Sequence, residues 1–123
     1  KSSLIGLVHA IAPIIASGNC AVVIANEKAP LSTITLGEVF ATSDLHAGVV
    51  NLLTGKISEL SPWLAAHMDI DGIDLSGASA KNITELKTLA TDNLKRCYNF
   101  TGESLERILA FTESKTVWHP IGV

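Results

Sequence analysis

The sequence predicts an α/β domain: a doubly wound parallel sheet of about four to five strands with helices on both faces, followed by a C-terminal strand or arm. Two observations predict this class. Short apolar runs without polar alternation, such as Val-Val-Ile at residues 22–24, are typical of strands buried on both faces. Between these runs, apolar residues recur at three- and four-residue spacing, which indicates helices. Because parallel strands need crossover helices, the alternation favours βαβ units.

Each element is predicted from its periodicity and from the residues that begin or end it. Ser2 or Ser3 is a candidate N-cap for the first helix, and the turn signal Gly18-Asn19 ends that helix at about Ser17. Helices are expected over residues 4–17, 31–41, from 58 onward, 80–90 and 104–111. Strands are expected over residues 20–25, 49–53, 72–75 and 94–98, and the alternating run 115–118 is a terminal strand or an arm.

Composition excludes several classes of protein. The chain has 123 residues, which allows one compact domain, and its 47% hydrophobic content is enough to build a core. A net charge of −3 without any basic run argues against a nucleic-acid surface. The four histidines are scattered with no metal-ligand spacing, so no metal is expected. The His67–Asp71 stretch, with two carboxylates, is interpreted as a polar loop rather than an acid/base site.

Residues 4–25 contain no Asp, Glu, Lys or Arg and are long enough to span a bilayer. Pro13 and the Gly18-Asn19 turn interrupt this stretch, so a helix, a turn and a buried strand explain it better than a membrane span. The two cysteines, Cys20 and Cys97, are too few for a disulfide scaffold. We therefore expect reduced, buried thiols, a cytoplasmic location and no membrane partner.

Catalytic and phosphate-binding motifs are missing from the sequence. Neither G-x-G-x-x-G nor G-x-x-x-x-G-K-[ST] occurs, and no nucleophile elbow or neighbouring Cys/His pair is present. The nearest substitute is the turn at residues 75–79, Leu-Ser-Gly-Ala-Ser, whose N–H groups could face an anion. Such a turn more often only caps the next helix. Read alone, this turn leaves open the hypothesis that the chain is a small-ligand α/β binding module.

Six stretches resemble, in order along the chain, segments of the aldehyde dehydrogenase superfamily. They are IAPIIASGNCAVV at 11–23, PLS at 30–32, AGVVNLLTG at 47–55, LAAHMDID at 64–71, NLKR at 93–96 and FTESKTVW at 111–118. The resemblance implies a Rossmann-like NAD-binding-type domain over residues 1–100. It also implies that residues 101–123 form a helix and a strand similar to the family's oligomerisation arm.

The resemblance implies cofactor-binding roles for only three residues, Glu27, Ser76 and Gly77. The site is degenerate, because other residues that the family uses there are replaced. The family lysine that binds the adenine-side ribose corresponds to Ile24, whereas its glutamate partner is kept as Glu27. In the turn after the third strand, Ser76 and Gly77 match the family's pattern. The glycine that lets the cofactor approach the second strand corresponds to Ile57, a branched residue.

Further departures remove the family's remaining cofactor contacts and its chemistry. The next glycine of that loop corresponds to Ser61, the serine beside the pyrophosphate to Ala78, and the valine under the adenine to Lys81. The catalytic glutamate corresponds to Phe100, and where the nucleophilic cysteine should follow, the chain has already reached its C-terminal segment. Cys97 lies in a predicted strand and is no replacement. We therefore expect no catalytic residue in this chain.

The resemblance is closest to the truncated C-terminal unit of long, two-part superfamily members. It predicts a non-catalytic domain with a structural or assembly role in a larger oxidoreductase and no bound cofactor. The alternative is a working NAD(P)-binding portion of an enzyme that oxidises aldehydes to acids. Whether the chain belongs to an active enzyme stays open on these residues. Because an unpaired strand edge recruits another chain, we expect a homo-oligomer or a contact with a complete aldehyde dehydrogenase unit.

Overall fold

The computed structural model describes residues 3–102 and 105–122, so Ser2 and Ser104 lie outside the described residues. Five α-helices and four strands alternate in this part of the chain. In order they are α1 (Ser3–Ala16), β1 (Ala21–Ile24), α2 (Leu31–Ala41), β2 (Val50–Leu53), α3 (Ile57–Ala66), β3 (Gly72–Asp74), α4 (Ala80–Ala90), β4 (Arg96–Tyr98) and α5 (Glu106–Leu109), with a 3-10 turn over Thr91–Asn93. The predicted α/β class is confirmed.

The strands form two parallel pairs. β1 pairs with β2, with Ala21 opposite Val50, and β3 pairs with β4, with Gly72 opposite Arg96. Among the described residues no ladder joins the two pairs, so the prediction of one sheet of about four to five strands is wrong in this respect. β3 and β4 have only three residues each. The N–H and C=O groups of successive residues point alternately to the two edges of a strand. A strand of three residues that is already paired on one edge therefore has few groups left to pair with another strand.

Helices α3 and α4 cover one face of the β3–β4 pair. Leu75, Ala65 of α3 and Leu86 of α4 form a buried cluster, and Ile73 and Cys97 pack against it. Gly72 lies on the opposite face, where a Cβ would come within 3.2 Å of the Phe111 ring. The segment around α5 therefore covers the face that α3 and α4 leave open.

The first helix, turn and strand occur as predicted. α1 ends at Ala16, and Gly18 has a φ of +81°, a conformation that glycine adopts without strain. α1 buries Leu7 and Ile11. Of the helices within the described residues, none combines the length and the apolar composition that crossing a bilayer requires.

Both cysteines are free thiols, but the prediction that both are buried is wrong for Cys20. Cys20 is exposed because it lies in the turn that precedes β1, one residue before the strand begins. Cys97 is half-buried in β4 and packs on the core cluster.

The C-terminal segment is anchored at three consecutive carbonyls. The hydroxyl of Tyr98 donates to the Ala110 carbonyl (2.7 Å), the Asn19 amide donates to that of Phe111 (2.8 Å), and the guanidinium of Arg96 donates to that of Thr112 (2.9 Å). These bonds join the segment to β4 and to the turn after α1. They fix the point from which the following residues leave the domain.

Residues 113–122, which we name the tail, form no strand, so the predicted strand over 115–118 is wrong. The alternative that these residues form an arm stays a prediction. Every tail residue is exposed, including Trp118 (87%) and Ile121 (91%). The alternating pattern favours a strand only where an edge is available to pair with it. Helix α5 is also shorter than the predicted 104–111.

We predict that Leu94→Gly stabilises the chain by about 0.5–1 kcal/mol. Leu94 has a left-handed φ of 54° and a side chain that is 92% exposed, so it bears the strain of a Cβ and contributes almost no packing. Urea unfolding measures the change. Leu94→Ala is the control, because it removes the exposed side chain and keeps the Cβ. Equal stability of the Leu94→Gly and Leu94→Ala variants would show that a Cβ in the left-handed conformation at residue 94 causes no strain.

Candidate functional site

An open cleft of about 330 Å³ lies at the carboxyl ends of β1 and β2. Ligands of α/β folds bind at this end of the strands. Residues from the two loops that follow these strands line the cleft: Ala25, Asn26, Glu27, Pro30, Thr54, Gly55 and Lys56. Of the three predicted cofactor residues, Glu27 lines the cleft and Ser76 and Gly77 do not. The three predicted cofactor residues therefore do not share one site: Glu27 lies in the cleft, and Ser76 and Gly77 lie in the turn after β3.

Glu27 is bonded within the chain. Its carboxylate accepts a hydrogen bond from the backbone N–H of Ile57, the first residue of α3. The first N–H groups of a helix have no partner inside the helix, and its partial positive charge favours an acceptor that is negative. Glu27 therefore satisfies the start of α3 and joins the loop after β1 to the loop after β2.

The side chains beside the cleft are poorly suited to a dinucleotide. Ile24, the last residue of β1, is half-buried and offers no hydrogen-bond donor where the resemblance implied a lysine. Ile57 is also half-buried, and its branched side chain stands where the resemblance implied a glycine. Among the lining residues, Lys56 carries a cationic side chain. The observed residues do not fit the adenine-side half of NAD.

The turn after β3 is also bonded internally. The carboxylate of Asp74 accepts hydrogen bonds from the Ser76 N–H (2.8 Å) and from the Ser76 hydroxyl, and that hydroxyl accepts the N–H of Phe100 (2.7 Å). An anion at Ser76 would have to displace this carboxylate. A Cβ on Gly77 would meet open space, and Ala78 packs against the core cluster.

An aromatic cluster occupies the surroundings of Phe100, the position that corresponds to the catalytic glutamate. Its ring stacks on Tyr98, with centroids 5.4 Å apart and planes 12° apart. The ring of Phe111 lies 6.2 Å away. The guanidinium carbon of Arg107 is 4.7 Å from the Phe100 centroid, a cation–π distance. None of these four side chains is a carboxylate that could take the place of the catalytic glutamate.

Sequence reasoning missed Arg107, which is 9% exposed. Its guanidinium lies 3.7 Å from the carboxylate of Asp74 and donates to the carbonyls of Gly102 (2.9 Å) and His9 (3.1 Å). One side chain thus joins α5 to the end of β3 and to α1. No motif marks this arginine, but Tyr98 and Phe100, two residues apart at a strand end, share a face and could have indicated the ring cluster.

The polar stretch His67–Asp71 is a structural loop. The Nδ1 atom of His67 accepts the N–H of Asp69 (3.2 Å). Buried Lys95 donates from Nζ to the carbonyls of His67 (2.7 Å) and Ile70. Within residues 3–102 and 105–122, no three His, Cys, Asp or Glu side chains are grouped so that they could hold a metal ion.

Lys95 predicts a pH dependence of stability. Burial lowers the pKa of its ammonium from the ordinary 10.5, against smaller raising effects of Asp71 and Cys97. The unfolded chain therefore holds this proton more tightly than the folded chain, so this group's contribution to stability increases as pH rises from the lowered pKa toward 10.5. Urea unfolding at several alkaline pH values should show this rise relative to Lys95→Met. A constant difference between the two proteins would contradict it.

Comparison with known proteins agrees with the α/β architecture. The model of the aldehyde dehydrogenase family matches residues 2–104. The chain is 35% identical over 86 residues to the NADP/NAD-dependent aldehyde dehydrogenase PuuC of Escherichia coli (strain K12) and to an aldehyde dehydrogenase of Aspergillus niger. It is 33% identical over the same length to a mitochondrial aldehyde dehydrogenase of Leishmania tarentolae.

Each of these alignments covers 70% of this chain and 17% of the relative, so the chain spans about a sixth of the length of the curated relatives it matches. The match of the family model overturns the interpretation as an unrelated small-ligand module. Because the family model matches residues 2–104, which is most of the chain, the chain belongs to the aldehyde dehydrogenase family.

Proposed function

We propose that this chain is a non-catalytic domain with a structural or assembly role in a larger oxidoreductase. The observation that carries the proposal is the cluster around Phe100, where Tyr98, Phe111 and Arg107 fill the surroundings of the position expected to hold a catalytic base. Arg107 is paired with Asp74 and two carbonyls there, which supports a role in holding the fold. In this proposal residues 1–100 form the cofactor-type domain and residues 101–123 the arm-like extension.

The proposal includes the absence of a functional NAD(P) site. Ile24 and Ile57 stand at positions that the family fills with a donor and with a glycine, and one carboxylate oxygen of Glu27 already accepts the Ile57 N–H. A lost charged hydrogen bond and an overfilled contact each weaken binding by about 1–3 kcal/mol, and together they lower affinity by roughly thirtyfold or more. Glu27, Ser76 and Gly77 are the degenerate remnants of the site.

The alternative, a working NAD-binding portion of an aldehyde dehydrogenase, is favoured by the open cleft beside Glu27 and by the free space at Gly77. Thermal unfolding with and without NAD separates the two. A ligand at a hundred times its Kd stabilises a protein by about 2.7 kcal/mol, a shift of several degrees in Tm. If the chain has no NAD(P) site, its Tm is the same at every NAD concentration. A saturable rise of the Tm with NAD concentration supports the alternative.

A partner is part of the proposal: a second copy of the chain or a complete aldehyde dehydrogenase unit, in the cytoplasm. The chain exposes 8750 Å² of surface, whereas a compact monomer of 13.0 kDa exposes about 6,300 Å². The excess exceeds the roughly 800 Å² that one partner contributes to a standard interface. The exposed side chains of Val117, Trp118 and Ile121 in the tail supply apolar contacts for such an interface.

Light scattering over a range of concentrations tests this part. For self-association through the tail, the full chain gives a concentration-dependent dimer, and a chain that ends at Thr112 stays monomeric with the same circular dichroism spectrum. The cut falls after the anchored carbonyls of residues 110–112, so the domain keeps those bonds. If the full chain is also monomeric at high concentration, the homo-oligomer is excluded and an aldehyde dehydrogenase unit remains the proposed partner.

A further inference from the structure

The two loops that form the cleft are tied to each other by one side chain. Glu27 belongs to the loop after β1, and Ile57 begins α3 after the loop that follows β2. Thirty residues separate them in sequence, and the bond from the Ile57 N–H to the Glu27 carboxylate joins them directly. Glu27 lines the open cleft, and so does Lys56, the residue that precedes Ile57.

In a fold that binds a dinucleotide at the carboxyl ends of its strands, the ligand contacts both of these loops. Here the chain's own carboxylate provides the contact between them. A carboxylate of the chain likewise takes the place of a bound anion in the turn after β3, where Asp74 accepts the hydrogen bond of the Ser76 N–H. Two backbone donors, one at the start of α3 and one in the turn after β3, are thus satisfied by internal carboxylates, and both carboxylates repel a phosphate.

We infer that Glu27 is an internal brace that replaces a bound ligand as the link between the two loops, and so keeps the cleft in one shape with nothing bound. The inference deepens the proposed function and rests on it, because it gives Glu27, a glutamate that matches the family's pattern, a structural role in a chain that does not use the cofactor. Its consequence is specific: the first turn of α3 depends on the side chain of residue 27 and not on NAD.

Amide hydrogen exchange of the 123-residue chain, followed by NMR, tests the brace. Removing a charged hydrogen bond speeds local opening by about tenfold or more, so the Ile57 amide should exchange at least tenfold faster in Glu27→Ala. In Glu27→Gln, which keeps an oxygen acceptor but loses the charge, the increase should be smaller. Amides in α4, far along the chain from this contact, should keep their rates and show that both variants are folded.

The matched control is Glu59→Gln. Glu59 lies in the first turn of the same helix, so this variant removes the same charge near the same helix end and leaves the Ile57 bond intact. It should leave the Ile57 exchange rate within about twofold of the unmodified chain. If Glu27→Ala fails to fold, the Ile57 exchange rate of Glu27→Gln alone tests the brace. This variant should fold, because it replaces only one carboxylate oxygen by an amide group at an exposed position.

An unchanged Ile57 rate in both Glu27 variants would overturn the brace, and so would an equal acceleration in Glu59→Gln. If the Ile57 amide of the unmodified chain exchanges more slowly when NAD is added, the cofactor binds, and this result contradicts the proposed function. The two failures are distinguishable because the first compares variants without ligand and the second compares the unmodified chain with and without NAD.

Discussion

Replacing Arg107 with methionine is expected to lower the free energy of unfolding by about 3 kcal/mol. The substitution leaves the carboxylate of Asp74, whose side chain is only 15% exposed, without its cationic partner. It also removes the donor to the carbonyls of Gly102 and His9. A buried charge that loses its partner is among the largest single-residue effects on stability, because the remaining charge keeps its desolvation cost. Chemical denaturation followed by circular dichroism measures it.

A second ion pair in the same region provides the control. Arg96 lies 3.8 Å from Glu113, but the Glu113 side chain is 69% exposed. Exposed pairs contribute about 0–1 kcal/mol, so Glu113→Gln should change stability by less than 1 kcal/mol. If Arg107→Met is no more damaging than Glu113→Gln, Arg107 does not hold α5 on the domain, and the structural role of the Phe100 cluster loses its main support.

The second large effect is expected in the core. Leu75→Ala should lower the free energy of unfolding by about 3 kcal/mol, because Leu75 is 2% exposed and packs with Ala65 and Leu86 between the helices and β3–β4. Domains of this size are stable by only about 5–15 kcal/mol, so the loss is a large part of the total. Urea unfolding gives the value.

Leu31→Ala is the matched control, since it is the same substitution at a side chain that is 76% exposed. It should change stability by less than about 0.5 kcal/mol. Similar losses at Leu75 and Leu31 would mean that the cluster of Ala65, Leu75 and Leu86 is not the core that stabilises this half of the molecule.

Local features of the fold could be predicted from the sequence because local signals determine them. The predicted bounds 31–41 and 80–90 agree with α2 (Leu31–Ala41) and α4 (Ala80–Ala90). Apolar periodicity and flanking turn residues are present in the helix sequence itself. The order of helices and strands, the turn at Gly18 and the parallel pairing were predictable for the same reason.

Features that depend on distant contacts could not be predicted. The strand over 115–118 requires an edge that this part of the chain does not supply, and the division into two pairs depends on how short β3 and β4 are. Arg107 reaches Asp74 across 33 positions, which no local pattern reveals. For the candidate site, the sequence indicated Glu27 as a residue of interest, but its bond to Ile57 is a tertiary contact.

Calorimetric titration of the chain with NAD, and separately with ADP-ribose, measures whether the cleft beside Glu27 binds the cofactor. ADP-ribose isolates the half of the cofactor that faces Ile24 and Ile57, and a cooperative thermal melt of the same sample shows that the protein is folded. A non-catalytic domain without a cofactor site gives no saturable heat with either ligand. Saturable binding in the micromolar range would contradict it and would show that the cleft beside Glu27 is a working cofactor site.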